Sequence, residues 1–518
     1  MASPGDKLAE SLKVLKKLQD KGIVAVKSAM LSRVHRERLQ RNHFLREVMK
    51  GWYIVVPTDE QQGDSTSWYT SFWSFCADYL ADRYGDSWCI SADQSLLMHA
   101  GNQTVPHQLI IRSLEGPNGK TALPYNTSIF TMKSTLPKAA EIIKVEGIRM
   151  LTLPSSLVHC SNVMYSNCPT DMRAALARIK DSSEVLGLLL DEGRSTIAGR
   201  LAGAFRNIGH DKIADDIVKT MQMAGYDVRE TDPFVTASPI LFDTRQVSPY
   251  VNRIRLMWSE MRKLVIAVFP TAPGLPKDHS AYMKRIEELY ATDAYNSLSI
   301  EKYKVTPELI DRVRSGEWDL AKNEQDRKHR DAMAARGYWQ ATQSVRESIL
   351  KILNNDNPGL VADKDHGTWY RELFAPGVTA NILKPSDLAG YRNSQVYISQ
   401  SKHVPLNPEA VRDTMPLLFN LLQNEQEASV RAVLGHFIFV YIHPYMDGNG
   451  RMARFLMNVM LASGGYPWTV IPVEKRSTYM NALERASTEQ NIVPFSDFVA
   501  NLLKEGMKGG IVTKYTHT

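Results

Sequence analysis

Val430 to Ile442 are apolar enough to form one buried helix, and the chain then breaks into His443-Pro444-Tyr445-Met446-Asp447-Gly448-Asn449-Gly450-Arg451-Met452-Ala453-Arg454. Met452, Phe455, Leu456, Val459 and Met460 recur at three- and four-residue spacing, which predicts a second core-facing helix. Gly464-Gly465 is its stop signal. The sequence therefore calls for a tight turn between two buried helices, with Gly-Asn-Gly leading into the N-terminus of the second.

Each residue type in that turn suits the handling of a polyphosphate. Free N–H groups at a helix N-terminus, with the helix dipole, attract anions, and Gly448 and Gly450 let the backbone come close. Arg451 and Arg454 lie three apart, on one helical face, and a guanidinium fork matches phosphate oxygens. Asp447 offers the hard oxygen that Mg²⁺ prefers beside phosphates. His443 is the one group in the turn able to take a proton near neutral pH, as an attacking hydroxyl requires. The combination predicts metal-assisted phosphoryl or nucleotidyl transfer. A helix end with two solvated arginines would explain a lone His-Pro or Gly-Asn-Gly, but not all twelve positions.

The twelve residues closely resemble the signature of the Fic family, whose members mostly transfer AMP from ATP onto protein hydroxyls. The resemblance extends over roughly residues 285–505. Gly448 and Gly450-Arg451 favour nucleotidyl transfer over the kinase-like branch of the fold, which usually has a lysine near the latter position. The resemblance implies that His443 takes the proton and that Asp447 holds Mg²⁺ (or Mn²⁺) on ATP. It implies that Gly448, Asn449 and Gly450 form an anion nest, while Arg451 and Arg454 bind phosphate. Tyr445 replaces the usual phenylalanine. Tyr391 to Pro405 is similar to the family's flap, a β-hairpin that holds the target by strand addition, and Gln395-Val-Tyr-Ile398 has strand character. Ser401, Lys402 and His403 would lie at its nucleotide-facing end, and Tyr479 would lie on the nucleotide.

Upstream, Asn296-Ser297-Leu-Ser-Ile-Glu301-Lys302 resembles the family's inhibitory helix, Ser/Thr-x-x-x-Glu followed by Gly or Asn. The resemblance implies that Glu301 pairs with Arg454 and keeps ATP from a productive pose, and that removal of AMP is also within reach. Lys302 departs from the expected small residue.

The net charge of +6 is uneven, since residues 1–50 hold twelve Lys and Arg against five Asp and Glu. Leu8, Leu12, Leu15 and Leu18 predict a first helix ending near Gly22, and Ile23 to Met30 a short second one. Ser32 to Arg41 predicts a basic third helix, and Phe44 to Val56 a hairpin turning at Lys50-Gly51. This pattern resembles the winged helix-turn-helix ahead of some antitoxin-type regulators. Arg33, Arg36, Arg38 and Arg41 would then face DNA phosphates or base edges. Trp68 to Leu80 predicts an aromatic core helix, Val105 to Thr131 a small β region, and Ile213 to Ala224 a helix. Phe269 to Pro276 is a candidate hinge.

The expected architecture is multidomain. A winged helix-turn-helix spans 1–56, an α+β regulator-like domain 57–235, and a helical region with the inhibitory segment 236–375. An all-α Fic core with a β-hairpin flap follows over 376–510. No apolar run reaches the 18 or so residues of a membrane helix. The N-terminus lacks a signal peptide's apolar stretch, and the four cysteines lack paired zinc spacing, so a cytoplasmic protein is expected. The expected function is an autoinhibited protein adenylyltransferase with ATP, a target protein and DNA as partners, and a homodimer is the expected assembly. The alternatives are a nucleotide-sensing DNA-binding regulator and a phosphotransferase on the same fold.

Overall fold

The computed structural model describes residues 3–56, 64–238, 240, 248–315 and 330–508. The chain forms two compact units. One comprises residues 1–253 together with 397–404, and the other 254–396 with 405–518.

In the first unit, Ser3 and Asp6 cap each other's backbone to start helix α1 (Pro4–Gln19). Strand β1 (Ala25–Lys27), helix α2 (Arg33–Arg41) and strands β2 (Leu45–Met49) and β3 (Trp52–Val55) follow, with the antiparallel sheet ordered β1-β3-β2. Gly51 turns the β2–β3 hairpin at a φ of 84°. The helix expected over Ile23 to Met30 is instead β1 and a single 3₁₀ turn, Ser28–Met30. Ile23, Val24 and Val26 are β-branched, and pairing of Ala25 with Ile54 buries Ala25 and Val26 completely.

The four arginines of α2 divide into two pairs. Arg36 donates to the Ser28 carbonyl (3.3 Å) and lies over the Tyr53 ring. Arg38 donates to the Lys7 carbonyl (2.5 Å) and Ser11 Oγ (2.9 Å), tying α2 to α1. Arg33 and Arg41 flank Glu37, and their side chains are 81% and 80% exposed. Helix α3 (Thr66–Tyr84) buries Trp68, Phe72 and Phe75 in one core with Trp52 and Ile54, as its aromatic content predicts. Strands within 88–133 form a four-stranded sheet, and six helices run from Leu153 to Met223.

Residues 391–405 do not form the expected hairpin, since the described residues of this segment contain no strand. The outer stretch turns at Gln400 (φ 61°), with Ser401 N–H on the Ile398 carbonyl. Its backbone is then taken up elsewhere in the first unit. Val105 N–H donates to Lys402 O (3.0 Å), Gln400 N–H donates to Thr66 Oγ1 (3.0 Å), and Val404 packs on the α3 core. Groups bonded there are not free to pair across a hairpin.

The described residues of the second unit are helical. Helices α4 (His279–Ile300), α5 (Ala428–Ile442) and α6 (Asn449–Ala462) build the site. Every residue of α5 except Val440 is buried, and every residue of α6 except Gly450. Helices buried on every side belong at the centre of a bundle, and polar side chains held there need partners. The stretch Phe269 to Pro276 is pinned rather than hinged. Gly274 N–H donates to Gly464 O (3.0 Å), and Tyr466 Oη donates to Pro270 O (2.6 Å). A Cβ on Gly465 would stand 1.8 Å from Gly274 O, so glycine is required there.

Candidate active site

Helix α5 ends because Pro444 brings no donor, and His443 caps it in the left-handed region (φ 55°, ψ 61°). For a residue with a Cβ that conformation costs roughly 1–2 kcal/mol. The His443 ring is half-buried and its Nδ1 faces Val440 O at 3.3 Å, which places the proton on Nδ1 and leaves Nε2 as the acceptor. Burial pushes its pKa down to about 4; the Val440 carbonyl opposes the shift and Arg392 adds to it.

The turn is closed by Asn449, whose side chain accepts from Tyr445 N–H and donates to Tyr445 O, both at 2.9 Å. Asn449 thus contributes its backbone to the helix start while its amide clamps the turn. Tyr445 stacks on Tyr370 at 3.8 Å, so the ring in place of phenylalanine packs. Gly448 has φ 82° and abuts Phe374, where a Cβ would lie 2.8 Å from the ring. No side chain caps the N-terminus of α6, so its first amides stay available to an anion.

The Asp447 side chain is 57% exposed; its Oδ1 accepts from Gly448 N–H (2.6 Å), and its Oδ2 meets Arg451 at 3.5 Å. Among the described residues no group of three His, Cys, Asp or Glu forms a metal cage. A single outward carboxylate next to an anion site suits Mg²⁺ shared with nucleotide phosphates.

Both arginines are buried and already occupied. Arg454 donates from Nε to Ser297 Oγ (2.7 Å), and from Nη2 to Ser297 O (3.0 Å) and Glu301 Oε1 (2.8 Å). Burial works against its charge, but Glu301, with Tyr479 and Tyr338, carries its pKa above the ordinary value. Behind it Asp293 accepts from Tyr338 Oη (2.6 Å), and burial raises that carboxyl to about 6. Arg451 lies between the rings of Tyr303 (5.1 Å) and Phe374 (5.0 Å). Arg451 Nε and Arg454 Nη1 are buried without a hydrogen-bond partner among the described residues. These are orphan donors of the kind an anion satisfies.

The end of α4 explains how Glu301 and Tyr303 are presented together. Lys302 N–H donates to Ser299 O and Tyr303 N–H to Leu298 O, the paired bonds of a Schellman cap. Lys302 sits at the left-handed position (φ 66°), where small residues are favoured. Gly450 faces this cap, and a Cβ there would fall 2.2 Å from Glu301 Oε1.

Other expected site residues lie elsewhere. Tyr479 is 1% exposed and bonded to His436 Nε2 (2.8 Å), so its ring is a core element behind Arg454 rather than an open surface for a base. Ser401, Lys402 and His403 belong to the segment counted with the first unit, where Lys402 Nζ reaches His107 (2.9 Å). Sequence reasoning missed Tyr303, Phe374 and Arg392. An aromatic just past a helix cap is a faint signal for the first, and the others have none.

Residues 369–461 match the model of the Fic/DOC family. Over 123 residues it is 39% identical to a protein named protein adenylyltransferase Fic from Drosophila grimshawi and 38% to its Drosophila mojavensis counterpart. The match covers 23% of this chain and 25% and 24% of those proteins, so the chain spans about a quarter of the length of the curated relatives it matches. Among solved structures, Fic-1 (residues 134–508) from C. elegans aligns over 66% of this chain and 92% of its own, with 18% identity and a TM-score of 0.37.

Proposed function

We propose that this protein is a protein adenylyltransferase, moving AMP from ATP to a Ser, Thr or Tyr hydroxyl of a target protein or of itself. The reading is carried by one observation, the gathering of an acceptor imidazole nitrogen, an exposed carboxylate and an uncapped helix start within residues 443–454. It is supported by the printed name of the 38–39% identical relatives.

In the proposed reaction the target hydroxyl gives its proton to His443 Nε2 as its oxygen bonds to the α-phosphorus. The bond from that phosphorus to the bridging oxygen breaks, and pyrophosphate leaves. Asp447 is the residue suited to hold Mg²⁺ (or Mn²⁺), which supplies charge neutralisation on the phosphates. Arg451 and the α6 amides bind phosphate, and Arg454 binds its far end once freed.

The resting state is inhibited. Glu301 takes the guanidinium that the nucleotide needs, and Tyr303 covers the other arginine. De-AMPylation by the same glutamate is part of this reading. Incubation with ATP labelled at the α- or the γ-phosphorus tests it in the Glu301→Gly protein. Protein-bound label from the α-position alone is expected. Label from the γ-position alone would instead assign phosphate transfer.

A second, compatible reading is DNA contact through α2. The β1-β3-β2 order behind a basic helix and the outward Arg33 and Arg41 favour it. Replacing Arg33 and Arg41 by Ala is expected to weaken promoter-DNA binding in a mobility shift, with a shallower salt dependence. Arg36 and Arg38 are poor test positions, because both also brace the fold.

A further inference from the structure

His443 holds a left-handed turn that an ordinary side chain adopts only under constraint, and such outliers gather at functional sites. The constraint is traceable. The three carbonyls leaving α5, those of Ile442, His443 and Pro444, all end on one residue. Arg392 donates from Nε to His443 O (2.7 Å), from Nη2 to Ile442 O (3.5 Å), and from its backbone N–H to Pro444 O (2.9 Å).

The same fork reaches both ends of the loop that follows Arg392. Nη1 donates to Ser394 O (3.0 Å) and Nη2 to Leu406 O. Arg392 is 1% exposed and pairs with no carboxylate among the described residues. Burial alone pushes its guanidinium down to about 10. A buried cation is costly to hold, so its donors must be well used. The guanidinium meets four carbonyls and the backbone N–H a fifth, so one residue fixes three chain segments at once. Guanidinium is suited to the task because its planar donors fix several acceptors at once.

We propose that Arg392 is the positioning residue for the catalytic base, holding the left-handed turn that aims His443 and tying both ends of the 393–405 loop to it. The proposal rests on the transfer reaction above for its catalytic consequence, but its structural half stands apart from turnover.

Arg392→Met and Arg392→Lys in the full chain carrying Glu301→Gly test both halves. The methionine variant is expected to lower kcat for self-modification about 100-fold, as a misplaced base would, with KM for ATP held within about twofold. Lysine, which keeps the charge and part of the donor set, is expected to recover a share of that loss. Selective ¹³C-histidine spectra read the turn without any reaction. The His443 Cα and Cβ resonances, identified by their loss in His443→Ala, are expected to leave left-handed values in Arg392→Met.

Unmoved His443 resonances overturn the proposal, as does a kcat within about twofold of the parent. A parallel loss of ATP affinity and kcat also overturns it, by marking Arg392 as merely structural. If the methionine variant does not fold, the lysine variant is read in the same spectra. If the Glu301→Gly parent transfers nothing, the transfer reading fails while the resonances still decide the role of Arg392.

Discussion

Glu301 and Arg454, 153 residues apart in the chain, meet at 2.8 Å with the arginine side chain 4% exposed and the carboxylate 28%. The contact exists because Gly450 leaves room for it, since any Cβ there would displace the carboxylate. With Nε and Nη2 committed to Ser297 and Glu301, only Nη1 is left to offer a phosphate. Glu301→Gln keeps the shape and removes the charge. ATP affinity, measured by calorimetry, is expected to rise by about 5–150-fold, the usual range of coupling between two sites. An unchanged affinity would remove Glu301 from the inhibitory role.

Tyr303 provides a separate test. Its ring lies over Arg451, and cation–π contacts of this kind contribute about 0.5–2 kcal/mol. Tyr303→Ala with Glu301 intact is expected to tighten ATP binding by about 2–30-fold, the same range expressed as an affinity ratio. Titration of this variant against a fluorescent ATP analogue would show the effect. Affinity equal to the parent's would mean that the ring merely packs.

Lys302 stands where the cap of α4 takes positive φ. Glycine relieves about 1 kcal/mol at such a position. Lys302→Gly is therefore expected to steady the cap and deepen inhibition, reducing basal self-labelling about fivefold. Increased labelling in this variant would contradict the account of the cap.

The acid limb of the proposed reaction follows from His443 as its base. Burial holds its pKa near 4 in the folded protein, against 6.5 ordinarily. A general base acts when unprotonated, so kcat/KM of the Glu301→Gly protein should stay level as pH falls from 7 to about 5 and decline only near 4. A midpoint near 6.5 would show the ring to be solvated. The sign for stability is the same. As pH falls from the unfolded value to the folded one, the unfolded chain binds the proton first, so this group's effect is to weaken the folded unit.

The turn from His443 to Arg454 was legible because its information is local, in a helix stop, two glycines and two arginines one helical turn apart. The same held for the β2–β3 hairpin at Gly51 and for α3. Glu301 on Arg454 was legible only through family resemblance, since no spacing rule links residues so distant. Arg392 was silent for a related reason. A guanidinium that binds backbone carbonyls leaves no partner side chain in the sequence. Gln395 to Ile398 has strand character, yet the adjoining turn gives its backbone bonds to Thr66 and Val105, and no local pattern foretells that. Ile23 to Met30 misled because its apolar residues fit a short helix by position, while their β-branching favoured a strand.

Intact-mass spectrometry after incubation with ATP and Mg²⁺ tests the central claim most directly. The Glu301→Gly protein is expected to gain the mass of AMP while the unaltered chain gains little, and the added loss of His443 should abolish the gain. A Glu301→Gly protein that keeps its original mass with either Mg²⁺ or Mn²⁺, or gains only phosphate, would contradict the account.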